Sequence, residues 1–128
     1  MQSQDHLRQF IRETLGCSCP DEVLEAIECT PAAAGYPLQK LNVGGRLLVY
    51  IIDAGEAADL PAAVRAALER GVAERDTGGF NRFRLVLSAA HPEQVRGPAE
   101  QAFAESSWHD EKTHLHVLAA QGVAGLCH

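Results

Sequence analysis

The sequence predicts a single compact α/β domain over residues 1–128, with a mixed sheet of about four strands. Two apolar segments flank Gly44-Gly45, which indicates an antiparallel hairpin because glycine readily adopts the positive φ angles of a tight turn. After this hairpin, helical and strand patterns alternate, as is typical of parallel strands joined by helices. A chain of 128 residues is also long enough to bury a substantial core.

Two helices are predicted before the sheet. Apolar residues recur at helical spacing over residues 3–15, and Gly16 suits the left-handed position that ends a helix. A short second helix is predicted to begin at Pro20 and to include Ile27 on its apolar face, because proline is favoured in the first helical turn. Cys19 would then occupy the N-cap position of that helix.

The later elements follow the hydrophobic pattern. Residues 47–52 form a continuous apolar run, which predicts a central strand buried on both faces. The predicted strands are residues 38–43, 46–53, 80–88 and 113–119, and the helices between them are residues 60–75 and 92–107. The expected fold is therefore two N-terminal helices, an antiparallel hairpin and a parallel βαβαβ unit.

The charge balance argues against two classes of partner. The chain has 11 Lys and Arg against 17 Asp and Glu, a formal net charge of −6. Binding to nucleic acid and docking to an anionic membrane both need a basic surface, so neither is expected. The first residues lack the basic and apolar regions of a secretory signal, and a cytoplasmic location is expected. Four cysteines in that compartment are typically free, metal-bound or redox-active.

Cys17 and Cys19 are the first candidate site, because they lie one residue apart at a predicted helix start. A helix N-terminus stabilises the thiolate, which is the reactive and metal-binding form of cysteine. Asp21 and Glu22 act in the opposite direction, since nearby negative charge raises a thiol pKa. Two interpretations stay open: a redox or metal-binding thiol pair, or two small side chains that fill a corner between helices.

A metal site would need ligands beyond this pair. The candidates are Cys29, His114 and His116, together with Cys127 and His128 at the end of the sequence, and thiolates with imidazoles suit zinc or iron. His114 and His116 are one residue apart on a predicted strand, so their side chains point to the same face. The alternative is that both rings lie on the solvent side of an edge strand.

A second candidate site lies where neighbouring strands end. Asp53 and Ser88 end the predicted second and third strands and His91 follows Ser88 closely, and ligands of open α/β sheets bind beyond the carboxyl ends of strands. An aspartate and a histidine in such a pocket could transfer protons. The alternative for Asp53 and Ser88 is that they cap the helices that follow.

Four segments carry a family resemblance. Residues 15–20, 44–49, 79–84 and 114–117 read LGCSCP, GGRLLV, GFNRFR and HLHV. Together they resemble a group of small bacterial proteins that carry an LGCxCP segment. The resemblance spans most of the chain, implies no activity and assigns no functional residue.

The predicted function is a non-catalytic binding or interaction module. The sequence contains no recognisable catalytic triad, phosphate-binding glycine turn or acid–base pair, so enzymatic activity is not predicted. The alternative is a thiol-redox or metal-binding protein that uses Cys17 and Cys19. An edge strand and an alanine-rich helix face would also support a homodimer.

Overall fold

The computed structural model describes residues 9–14, 27–30, 38–54, 59–106 and 111–119. Five strands form one sheet in the order β1-β2-β3-β4-β5. The strands are β1 (Ile27–Thr30), β2 (Leu38–Val43), β3 (Leu47–Asp53), β4 (Arg82–Ala89) and β5 (Thr113–Ala119). The helical elements are a π-helical turn (Phe10–Thr14), α1 (Leu60–Gly78) and α2 (Pro92–Glu105).

The sheet is mixed, as the sequence predicts. β1, β2 and β3 pair antiparallel, whereas β3, β4 and β5 pair parallel. α1 connects β3 to β4, and α2 connects β4 to β5. Each strand therefore lies beside its neighbour in the sequence, and the antiparallel and parallel halves meet at β3.

The number of strands and the N-terminal helices differ from the prediction. The sheet has five strands rather than four, because Ile27 opens β1 instead of lying on a helix. Ile27 pairs with Val43 and packs against buried residues, and such a cross-strand contact outweighs a weak helical pattern. The described part of the first predicted helix contains the π-helical turn, and the predicted second helix before Ile27 lies outside the described residues.

The β2–β3 hairpin turns at the predicted glycines. Gly44 and Gly45 have φ angles of 60° and 70°, and the N–H of Arg46 donates to the Val43 carbonyl over 3.0 Å. Two consecutive positive φ angles are what a type I′ turn requires, and this turn matches the twist of the strands that it joins. The side chain of Asn42 accepts a further hydrogen bond from the Gly45 N–H over 2.8 Å.

One face of the sheet packs against both long helices, and we call it the helix face. Leu48, Tyr50 and Leu85 on this face are fully buried, together with Val64 and Leu68 of α1. Burial of an aliphatic or aromatic side chain contributes about 1.5–3 kcal/mol, so this cluster is the main source of stability. The six-residue apolar run of β3 is buried throughout, as predicted for a central strand.

The opposite face packs against Phe10 and Ile11 of the π-helical turn, and we call it the N-terminal face. Leu41, Val43, Val49 and other side chains of β2 and β3 are buried there. Val86 on β4 and Leu118 on β5 also pack in this cluster. The side chains on either side of Val86 on the same face of β4 are polar, so the apolar cover is interrupted there.

Three features fix the ends and the position of α1: an N-cap side chain, a C-cap glycine in the left-handed conformation, and a close contact with β4. The Asp59 side chain accepts a hydrogen bond from the Ala62 N–H over 3.2 Å, and Gly79 ends the helix at a φ of 74°. At Gly71, an added Cβ would lie within 2.6 Å of three ring carbons of Phe83. Glycine at this position therefore lets α1 approach β4 more closely than any other residue would allow.

Arg75 fixes the end of α1 against the start of β5. It is buried, and its Nη1 donates to the Thr113 hydroxyl over 2.9 Å while its Nε donates to Asp76 over 3.1 Å.

Among the described residues, no helix combines the length and the hydropathy of a membrane-spanning segment.

Candidate functional site

The structure places His114 and His116 on the N-terminal face of β5. Their register partners on β4 are Arg84 and Val86, respectively. Val86 belongs to the buried cluster of the N-terminal face, and alternation along a strand puts these four side chains on the same side. Both histidines are half-buried.

Arg84 binds His116 directly. Its Nη1 lies 2.9 Å from His116 Nε2. A guanidinium group has no acceptor atom, so Nη1 donates and Nε2 accepts, and the imidazole is neutral with its proton on Nδ1. Because Arg84 starts on β4 and reaches a ring on β5, its positive charge extends towards β5.

The pKa values of both groups reflect burial and like charge. Burial, followed by the nearby charges of Arg84 and His114, lowers the pKa of His116 to about 4. Burial and the neighbouring Arg82 lower the pKa of the Arg84 guanidinium. Positive charge is therefore disfavoured at two adjacent basic groups, a situation that is common at functional sites.

Arg84 also has a donor that the described residues leave unsatisfied. Its Nε atom is buried and has no hydrogen-bond partner among them. A buried donor without an acceptor costs about 1–3 kcal/mol. Nε and Nη2 form one edge of the guanidinium plane, and such an edge binds a carboxylate or phosphate through two parallel hydrogen bonds. His116 contacts the other end of the group, at Nη1.

Arg82, Arg84, His114 and His116 together form what we call the Arg84 patch. Arg82 precedes Arg84 by two residues on β4, so it projects from the same face. It is exposed, and its Nη1 donates to the Glu111 carbonyl over 3.3 Å. The sequence predicts the two histidines as site residues but not the arginines. A signal for them exists, because charged residues at alternate positions interrupt a strand that is otherwise apolar.

Cys29 lies far from this patch, on β1 at the opposite edge of the sheet. One row of register partners crosses the sheet through Cys29, Leu41, Val49, Arg84 and His114. Four strand spacings of about 4.8 Å put the backbone of Cys29 about 19 Å from that of His114. Metal–ligand distances are about 2 Å, so these two residues cannot bind the same ion.

The predicted thiol pair, Cys17 and Cys19, lies outside the described residues, as do Cys127 and His128. Within the ranges that the structure describes, no group of three or more His, Cys, Asp or Glu side chains could hold a metal ion. The two histidines of β5 are therefore not part of a larger ligand cluster in those ranges.

The strand-end candidates are only partly brought together. Asp53 and Ser88 are register partners at the ends of β3 and β4, with Asp53 exposed and Ser88 buried. His91 is exposed at the N-cap position of α2, with its Nδ1 3.9 Å from the carboxylate of Glu93. Asp53 and Ser88 lie in strands, and the N-cap residues of α1 and α2 are Asp59 and His91.

A second polar cluster, which the sequence does not predict, lies at the helix face. Glu74 on α1 accepts hydrogen bonds from the Tyr50 hydroxyl and from Lys40 Nζ, the latter over 2.6 Å. Burial alone would raise the pKa of Glu74, but the hydrogen bonds from Lys40 and Tyr50 and the positive charges nearby outweigh it and lower the pKa. Tyr50 is fully buried, whereas the side chains of Lys40 and Glu74 are 36% and 31% exposed, and the cluster joins α1 to β2 and β3.

No protein-family model matches the chain, and no curated protein or solved structure is significantly similar to it.

Proposed function

We propose that the chain is a non-catalytic binding domain, and that the Arg84 patch binds an anionic group of its ligand. The observation that supports this most directly is the buried Nε of Arg84, which has no acceptor among the described residues. A carboxylate or phosphate oxygen would accept this hydrogen bond. Charge-assisted hydrogen bonds are roughly twice as strong as neutral ones, so the gain on binding would be large.

The distribution of charge supports the same proposal. The chain as a whole has a net charge of −6, yet the patch places two arginines, Arg82 and Arg84, at alternate positions on one face of β4. Like charges that are close together and partly desolvated repel one another. An anion bound at the patch would relieve this repulsion, and the binding free energy would include that relief.

The state of His116 favours binding over proton transfer. Its Nε2 already accepts a hydrogen bond from Arg84, so this lone pair is not available to a general base. Because its pKa is lowered to about 4, the ring is neutral at pH 7 and is not a general acid there. His116 thus acts as an acceptor that positions the guanidinium of Arg84.

The proposal is tested by the binding of inorganic phosphate at constant ionic strength. Two measurements report it: the thermal unfolding midpoint, and the NMR signal of the Arg84 Nε–H. Phosphate should raise the midpoint, because a ligand that binds the folded state stabilises it, and should shift the Nε–H signal. Arg84→Gln, which removes the charge and keeps a polar side chain, should abolish the midpoint change.

The matched control is Arg65→Gln. Arg65 is an exposed arginine on α1, on the other side of the sheet, so its substitution should leave the phosphate effect unchanged. Equal phosphate effects in wild type and Arg84→Gln, or no effect in either, would contradict the proposal.

A further inference from the structure

Among the described residues, β5 is an edge strand without the charged residues or proline that often protect an edge from pairing. β1, at the other edge, has four residues and carries Glu28. β5 has seven residues and contains no Asp, Glu, Lys, Arg or Pro. Edge strands are usually short or charged, because their outward backbone groups attract other strands. Within the described part of the chain, β4 is the only strand that pairs with β5.

The register of β5 identifies its outward backbone groups. The N–H of Phe83 on β4 donates to the Lys112 carbonyl over 2.9 Å, and Phe83 is the register partner of Thr113. In a parallel pair, backbone groups of alternate residues point to the neighbouring strand. The groups of His114 and His116 therefore point towards β4, and those of Thr113, Leu115 and Val117 point outwards.

One of these outward groups is already occupied. Arg96 on α2 donates its Nη2 to the Val117 carbonyl over 2.9 Å. This contact agrees with the outward direction derived from the register. The outward backbone groups of Thr113 and Leu115 belong to the end of β5 that lies beside the Arg84 patch.

The Arg84 patch extends towards this edge. Arg84 Nη1 reaches the His116 ring, so the guanidinium lies between the side chains of β4 and the outer edge of β5. Side chains that are directly opposite on adjacent antiparallel strands have Cβ atoms about 4.5–5.5 Å apart. A carboxylate on a strand next to β5 would therefore lie within reach of the patch.

Charge distinguishes between two occupants of this edge. A second copy that paired through β5 around a two-fold axis would bring a second pair of arginines, Arg82 and Arg84, to the same face, and the like charges would repel. An extended peptide with acidic side chains on that face would instead meet opposite charge. Charge complementarity therefore favours the acidic peptide.

We propose that β5 binds an extended acidic peptide, with Asp or Glu at alternate positions, as an added strand. The inference rests on the proposed anion-binding function of the Arg84 patch. Backbone groups of Thr113 and Leu115 pair with the peptide backbone, and alternate peptide carboxylates bind the Arg84 side chain. Main-chain hydrogen bonds supply affinity in this mode of recognition, and the side chains supply specificity.

The test uses fluorescence anisotropy with a fluorescein-labelled eight-residue peptide in which Glu alternates with Thr. A peptide with Gln in place of Glu, and the Arg84→Gln variant with the Glu peptide, should each show affinity that is lower by at least about tenfold. Arg65→Gln should bind the Glu peptide as wild type does.

Two N-methylated peptides test the added strand itself. One is methylated at every Glu and the other at every Thr. Because alternate N–H groups of a strand face its neighbour, one of these peptides should lose binding and the other should retain it. Equal binding by both peptides would overturn strand addition.

The remaining outcomes separate this inference from the proposed function. Phosphate binding without binding of the Glu peptide would overturn the inference and leave the anion site in place. Loss of both would overturn both proposals. A dimer in sedimentation velocity that Leu115→Pro dissociates would assign the edge to a second copy and overturn the inference, since proline removes an outward N–H that β4 does not use.

Discussion

The state of His116 predicts a specific loss of stability in mild acid. Its pKa is about 4 in the folded protein, against an ordinary value of 6.5. Between these values the unfolded chain binds a proton that the folded protein does not bind, so the free energy of unfolding falls as the pH falls from about 6.5 towards 4. Below the folded pKa both states are protonated and no further loss follows.

The magnitude follows from the same two pKa values. At pH 4.5 their difference corresponds to about 2 kcal/mol of stability lost relative to pH 7. Two effects disfavour protonation of His116. A proton on Nε2 would face the N–H that Arg84 donates to this atom, and the charged ring would place a second positive charge beside the guanidinium. His116→Gln can retain an acceptor for Arg84 and does not titrate.

Urea unfolding of both proteins at pH 7 and pH 4.5 measures the effect. The carboxylates titrate in both proteins, so the difference between the two losses isolates His116. Wild type should lose about 2 kcal/mol more than His116→Gln. Equal losses in wild type and His116→Gln would refute the neutral, acceptor state of His116.

Three further predictions concern the core, a close contact and the thiols. Ile51→Ala and Leu68→Ala should each lower the free energy of unfolding by about 2–5 kcal/mol, and a loss well under 1 kcal/mol at both would mean that these buried sites are misassigned. Gly71→Ala should destabilise in urea unfolding, because overpacking of about 1–3 kcal/mol exceeds the gain of about 1 kcal/mol in helix propensity; a stabilised variant would contradict the close packing of α1 on β4. Purified protein should contain far less than one equivalent of zinc or iron by elemental analysis, whereas stoichiometric metal that a Cys17→Ser, Cys19→Ser variant loses would favour the metal-binding alternative.

The fold was predictable where turn residues and apolar runs that are close in the sequence indicate the same element. Gly44-Gly45 combines turn chemistry with flanking apolar runs, and the structure has the hairpin there. β1 was not predictable in the same way, because four residues give too short a pattern to separate a strand from a helix end. Its pairing with Val43 is a contact between residues distant in the sequence, which local periodicity does not reveal.

In the candidate site, too, local spacing predicts some features, whereas contacts between residues distant in the sequence were not predictable. Spacing predicts that His114 and His116 share a face, because alternation is a local property of a strand. It does not predict Arg84 as their partner, because that contact depends on the register of β4 against β5. The separation of Cys29 from the histidines likewise follows from strand order, which places them at opposite edges. Cys17 and Cys19 lie outside the described residues, and their role stays a prediction.

The arrangement of the two faces separates the proposed binding site from the apolar core of the sheet. The helix face carries the large apolar cluster with α1 and α2, and the N-terminal face is apolar over β2 and β3. The costs of the Arg84 patch, which are the Nε that the described residues leave unsatisfied and the lowered pKa values, lie on the N-terminal face of β4 and β5. Residues that bind ligands often reduce stability, because they present groups whose partners arrive with the ligand. Substitutions in the patch should therefore impair binding before they impair folding, whereas substitutions in either apolar cluster should do the reverse.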